Sequence, residues 1–203
     1  MKVQFLENEY PVRIMKEITP YMGPKVAWDV ETNKVVDGEI PTYVTAAAFN
    51  GSQVCLVPSH ALKAFWTAHT KSIILGHSVN FDIQVCEKAI GSPLFDYLDK
   101  MQVLDASLLY RLYELARVGE VPRRGYGLKD LTKNLFGVEL SKDADIRCEF
   151  GQFIREGGTI DYQAIPPEFL EYAALDAVAT WFVCEKLSQM VESLGGKGGS
   201  DDA

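Results

Sequence analysis

Thr42-Tyr-Val-Thr-Ala-Ala-Ala-Phe-Asn-Gly-Ser-Gln-Val-Cys-Leu-Val57 holds two apolar runs, rich in Val, Tyr, Thr and Ala, separated by Asn50-Gly51. An Asn-Gly pair between such runs is a strong short-range signal for a β-hairpin. Upstream, Lys25-Val-Ala-Trp-Asp-Val-Glu31 reads as a buried strand. The three runs together predict an antiparallel meander.

Outward from the meander the pattern changes to alternating strands and helices. Helices are expected from Ser59 to about His69, from Asn80 to Ile90 with Gly91 as the stop, and from Ala106 to Ala116 with Asp105 as cap. Short apolar strands precede them at 72–75 and 102–104. Val118 to Tyr126 reads as a loop by its Gly and Pro content. Leu128 to Phe136 forms a short helix ending at Gly137, and Arg147 to Glu156 is expected to be helical. Pro166-Pro167 opens a long last helix, whose buried side carries Leu170, Ala173, Ala177, Trp181, Cys184 and Val191. Before the meander, a strand over Val3 to Leu6 and a helix leading towards Pro20 are expected. These elements predict an α/β domain with a mixed sheet and helices on both faces.

The chain of 203 residues suits one domain, 1–194, followed by a disordered Gly-rich tail, 195–203. A hydrophobic share of 47% with 24% charged residues is that of a globular protein. No apolar run approaches the roughly 18 residues of a membrane span, and the N-terminus lacks a signal peptide's apolar stretch. An intracellular, cytoplasmic location is therefore expected. Cys55, Cys86, Cys148 and Cys184 are scattered and read as reduced, mostly buried thiols. The net charge of −8 argues against a protein that coats nucleic acid with a broad basic surface. It leaves room for an enzyme whose acidic site is neutralised by bound metal.

Candidate chemistry lies in three places. Asp29 and Glu31, two apart on a strand, leave the same face of the sheet. Taken alone they fit a strand end with two exposed acids better than a metal site. Asp82 falls in the first turn of a helix, where the helix dipole favours an acid in any case. Tyr172 and Asp176 are four apart on the last helix and share a face. An aspartate inside Tyr172-Ala-Ala-Leu-Asp-Ala-Val-Ala-Thr-Trp-Phe-Val183 needs a partner, either a metal ion or a hydrogen-bond network. Four carboxylates in this order are hard oxygen ligands suited to Mg²⁺ or Mn²⁺. Two such ions can activate water and stabilise the leaving oxygen of a phosphodiester. The tyrosine, one turn before the last carboxylate, can orient that water.

Val26-Ala-Trp-Asp-Val-Glu-Thr32, Gly76-His-Ser-Val-Asn-Phe-Asp82 and Tyr172-Ala-Ala-Leu-Asp176 resemble, in order and spacing, motifs I, II and III of the DEDD (DnaQ-like) 3′–5′ exonucleases. Val103-Leu-Asp-Ala-Ser107, the run Gly127 to Leu140 and Lys142 are further matches. The resemblance is to the tyrosine branch, which includes ribonuclease D and the proofreading domains of family A DNA polymerases. The histidine branch has its histidine five residues before the final aspartate, and here that position is Glu171. The resemblance implies a ribonuclease H-like fold, with Asp29, Glu31, Asp82 and Asp176 as ligands of two Mg²⁺ or Mn²⁺ ions. It also implies that Tyr172 orients the water and that Thr32 contacts the terminal nucleotide. Ser78 stands where the family commonly has asparagine, so altered contacts to the substrate end are expected; Phe81 can contact the last base.

The context of motif III, with Ile165-Pro-Pro-Glu168 ahead of it, is similar to phage-type and family A polymerase proofreading domains. Single-stranded DNA 3′ ends are thus the expected substrate, with a polymerase or other replication protein as a possible partner in trans. The alternatives are RNA 3′-end trimming and a catalytically silent module that only binds ends. Arg123, Arg124, Lys129, Lys133 and Lys142 fit solvated surface as readily as phosphate contacts. Asp105 reads as a helix cap rather than a metal ligand, and Trp28, Trp66 and Trp181 as core. His77 reads as structural.

Overall fold

The computed structural model describes residues 1–15, 21–36, 38–94, 96, 99–100, 102–140, 146 and 149–195. Seven strands form the sheet: β1 (Lys2–Phe5), β2 (Asn8–Ile14), β3 (Lys25–Thr32), β4 (Tyr43–Phe49), β5 (Val54–Pro58), β6 (Ile73–Gly76) and β7 (Val103–Asp105). Their order is β1-β2-β5-β4-β3-β6-β7. The helices are α1 (Ser59–Ala68), α2 (Val79–Ile90), α3 (Ala106–Val118), α4 (Leu128–Phe136) and α5 (Pro167–Gly195).

The expected meander is present as β3-β4-β5, antiparallel throughout. Asn50 Oδ1 accepts the N–H groups of Ser52 and Gln53 at 3.1 and 3.0 Å. Gly51 turns the chain at φ +88°, where a side chain would meet Trp181. Beyond β3 the sheet continues with parallel β6 and β7, as strand–helix alternation requires.

β3 separates two cores. Val26, Trp28 and Val30 face a cluster with Phe65 and Trp66 of α1 and Ile83 and Cys86 of α2. Ala27 faces the other cluster, with Ala173, Ala174 and Ala177 of α5. Small residues on both sides let α5 lie close on the sheet. The period of two then puts Asp29 and Glu31 on the Ala27 side, towards α5.

The N-terminus differs from expectation. Residues 8–14 form strand β2 rather than a helix, paired antiparallel with β1 and parallel with β5. Pro11 disfavours a helix interior, and Tyr10 and Val12 alternate inward at the period of a strand. Residues 16–20 lie outside the described residues.

The helix expected over 147–156 is present among the described residues only at Glu149. From Phe150 to Phe153 a 3-10 turn replaces it, followed by a bridge between Ile154 and Ile160. Its three-residue period turns both phenylalanines into the core. Gly151 passes so close to Asn33 that an added Cβ would sit 2.9 Å from the asparagine Cβ. Residues 147–148, with Cys148, lie outside the described residues, as do Lys142 and the tail from 196 onward. Cys55, Cys86 and Cys184 are buried free thiols.

Candidate active site

The site forms where the C-terminal half of β3 meets the first turn of α2 and the first half of α5. A cleft of about 450 Å³ opens there, lined by Asp29, Glu31, Ser78, Phe81, Asp82, Tyr172 and Asp176, with His77 and residues 127–130 on its walls. Asp29, Glu31 and Asp176 each present a ligand atom, all within 4.8 Å of one another. Glu31 is buried at 5% exposure, while Asp29 and Asp176 are half-buried. Three carboxylates this close repel one another, and burial raises that cost. A divalent cation among them offsets both, and an all-oxygen donor set suits a hard ion. The residues present therefore fit a divalent metal.

Asp82 enters the same cleft but stands outside that trio. It is 4% exposed, and its Oδ1 accepts the Val30 N–H at 2.9 Å. The carboxylate of motif II is thereby fastened to the backbone between the two carboxylates of motif I. Burial pushes its carboxyl up to about 8; the hydrogen bonds from Val30 and from its own amide act against the rise, and the charge of Asp105 adds to it.

Tyr172 is half-buried, lines the cleft one helical turn before Asp176 and leans on Phe150, ring centroids 6.5 Å apart. Phe81, 40% exposed, also lines the cleft. Ser78 holds the left-handed conformation, φ +57° and ψ +40°, at the entry to α2. Gly76 makes that tight entry possible, since a Cβ there would lie 2.6 Å from Val79 Cβ.

Thr32 is placed differently. It is 9% exposed, does not line the cleft, and its hydroxyl donates to the Asn33 carbonyl at 2.9 Å. Asp105 caps α3, accepting from the Ser107 and Leu108 N–H groups. His77 Nε2 lies 2.8 Å from the Tyr126 carbonyl, which holds its ring against the 119–127 loop. Trp28 and Trp66 are core; Trp181 is half-buried and packs on Phe49. Arg123 and Arg124 are exposed and outside the cleft, and Lys133 pairs with Glu139. Of the Gly127–Asp130 wall, sequence reasoning singled out only Lys129, although the whole run that contains it matched the family.

Fold and carboxylate cluster together define a metal-dependent nuclease of ribonuclease H-like architecture. The chain belongs to the 3′–5′ exonuclease family, whose sequence profile matches residues 12–192. Comparison with curated protein sequences returns no match. Among solved structures, the chain is similar to the Aedes aegypti Nibbler EXO domain, with a TM-score of 0.63 and 17% identity over 91% of this chain and 94% of that one. Brucella melitensis NrnC with bound Mg²⁺ gives a TM-score of 0.63 at 18% identity, over 93% and 84% of the two chains. Escherichia coli RNase D gives 0.60 at 17% identity, over 86% of this chain but only 41% of that one. These likenesses show the fold. Family membership makes the chain an enzyme that hydrolyses nucleic acid from the 3′ end with divalent metal. No helix among the described residues is long and apolar enough to cross a membrane.

Proposed function

We propose that the chain removes single nucleotides from the 3′ end of single-stranded DNA, releasing nucleoside 5′-monophosphates. The observation that carries this reading is the convergence of Asp29, Glu31 and Asp176 within 4.8 Å in a cleft shared with Asp82 and Tyr172. Asp29, Glu31, Asp82 and Asp176 hold two ions, Mg²⁺ or Mn²⁺. When bound, such a pair lowers the pKa of the attacking water and stabilises the departing 3′ oxygen.

The chain's own residues do the rest. Tyr172 donates a hydrogen bond to the attacking water and aims it at phosphorus, in line with the bond to be broken. The water oxygen joins phosphorus as one of its O–H bonds breaks, the P–O3′ bond breaks, and a proton in balance with the one lost by water ends on O3′, so the shortened strand leaves with a 3′-hydroxyl. Phe81 stacks on the terminal base and Ser78 hydrogen-bonds the terminal nucleotide. Thr32, whose hydroxyl donates to the Asn33 carbonyl, acts by holding the backbone at the end of β3.

DNA is supported by the likeness of the motif III context to proofreading domains, which also suggests a polymerase as partner in trans. RNA is a second reading, favoured by the fold's likeness to E. coli RNase D, described as an exoribonuclease involved in structured RNA processing. Purified protein given 5′-labelled single-stranded DNA and matched RNA with Mg²⁺ or Mn²⁺ decides between them. A descending ladder on DNA, abolished by EDTA and by Asp29→Ala, is the expected result. Shortened RNA beside intact DNA would overturn the substrate, and two intact strands would overturn the function.

A further inference from the structure

Asp105, the last residue of β7, is buried at 9% exposure and uses both carboxylate oxygens. Oδ1 accepts the Ser107 N–H at 2.8 Å, the Ser107 hydroxyl at 2.7 Å and the Leu108 N–H at 3.3 Å. That much is an ordinary N-cap. Oδ2 reaches sideways and accepts the N–H of Val79 at 2.8 Å, on a helix 26 residues earlier in the chain. Parallel pairing sets this up, since Gly76 of β6 lies opposite Asp105.

α2 needs this outside help. Its own entry residue, Ser78, makes no side-chain capping hydrogen bond and sits in a left-handed conformation that non-glycine residues seldom adopt. One carboxylate therefore serves the positive ends of two helices at once. One turn into α2, Asp82 is tied to Val30 of β3. The first turn of α2 is thus held at both ends, by Asp105 from the sheet edge and by Val30 from the site.

Resting on the function proposed above, we propose that Asp105 is a positioning residue for the reaction. Through Val79 it sets Ser78, Phe81 and Asp82 in register with Asp29 and Glu31, so that the helix-borne carboxylate meets the strand-borne pair around metal. It touches neither metal nor substrate.

Two substitutions separate this role from plain capping. In Asp105→Asn the amide oxygen keeps the three donors of α3, asparagine being as good a cap as aspartate. The amide nitrogen then meets the Val79 N–H donor to donor, and the bridge is lost. Asp105→Ser also caps α3 but is too short to span to Val79. Ser107→Ala is the control: it removes one hydrogen bond from the α3 cap and leaves the bridge intact.

Three quantities are to be measured: Mn²⁺ affinity by electron paramagnetic resonance without nucleic acid, amide exchange over 79–82 in metal-free protein, and kcat and KM on labelled single strands. Both Asp105 variants are expected to bind Mn²⁺ about tenfold or more weakly, the usual effect of losing an outer-shell partner. They are also expected to exchange faster over 79–82 and to lose kcat more than KM, while Ser107→Ala matches wild type. Wild-type Mn²⁺ affinity and exchange in both Asp105 variants would overturn the role, as would an equal loss in Ser107→Ala. Should the wild type bind Mn²⁺ but cut neither DNA nor RNA, the function falls alone, and the metal and exchange comparisons still decide the part played by Asp105.

Discussion

Asp82 accepts the backbone N–H of Val30 at 2.9 Å, and Val30 stands between Asp29 and Glu31 in β3. One hydrogen bond therefore fixes how far a helix-borne carboxylate lies from two strand-borne ones. Oδ1 is the oxygen turned to the strand. The same burial that aligns the group makes its charge costly until a cation arrives.

A stability prediction follows from that burial. The folded value of Asp82, about 8, lies above the ordinary 3.8. Its protonated form therefore stabilises the metal-free fold fully below pH 4, and this contribution is lost as pH rises towards 8. Asp82→Asn keeps a neutral group in the same space. At pH 8 without metal it should melt higher than wild type by roughly 3 °C or more, with the gap closing at pH 4. Activity should vanish at both. Calorimetry over pH 4–8 checks this, and equal melting curves at pH 8 would refute it.

Tyr172→Phe removes only the hydroxyl. The ring still packs beside Phe150, so fold and metal affinity should persist. Losing one hydrogen bond to the attacking water, about 1.5–3 kcal/mol when a charged group is involved, corresponds to roughly 10- to 100-fold in kcat. Single-turnover kinetics with saturating Mn²⁺ measures it; unchanged turnover would show that the hydroxyl has no role.

What was legible in the sequence follows the range of each signal. The β4–β5 hairpin and the caps at Asp105, Gly91 and Gly137 are local, and the structure has them where local chemistry put them. The pairs Asp29–Glu31 and Tyr172–Asp176 were legible because strand period and helix period fix which side chains share a face; that Asp29, Glu31 and Asp176 converge is a tertiary fact. β2 differs from expectation because it pairs on both sides, with neighbouring β1 across the turn at residues 6–7 and with β5 some 40 residues on, and only the second pairing is long-range. The 3-10 turn at Phe150 was missed because only the close approach to Asn33 shows why Gly151 interrupts a helix. The bridge from Asp105 to Val79 is long-range, and no spacing rule reveals it.

Away from the site, His69 gives the fold an acid limit. It is fully buried; its Nε2 accepts the Met22 N–H at 2.9 Å and its Nδ1 lies 2.8 Å from the Phe65 carbonyl. Burial holds its pKa below the ordinary 6.5, against the raising effect of the Phe65 carbonyl. The neutral ring thus contributes stability that is fully present above pH 6.5 and is lost as pH falls below it. His69→Gln replaces the Nε2 acceptor with one that does not titrate. Its stability should be lower than wild type at pH 7.5 but flatter between pH 7 and 5. Urea midpoints across that range test it, and parallel curves would sink the assignment.

Lys129 is the residue to test for how a chain of net charge −8 admits a polyanion. It is the only lysine or arginine among the described residues lining the cleft, which it shares with Asp29, Glu31, Asp82, Asp130 and Asp176. If bound metal neutralises the inner carboxylates, Lys129, exposed at the wall, would be left to meet the strand's outer phosphates. Lys129→Ala should therefore raise KM several-fold and leave kcat within about twofold, because uniform binding rather than transition-state stabilisation is lost. Losing one phosphate contact should also make the salt dependence shallower, by about 0.7 in the slope of log affinity against log salt for a single strand. Fluorescence anisotropy with a labelled oligonucleotide in Ca²⁺, from low to moderate salt, reads that slope. An unchanged slope would place Lys129 in solvent rather than on the strand, and Asp130→Asn should then leave binding unaltered instead of tightening it.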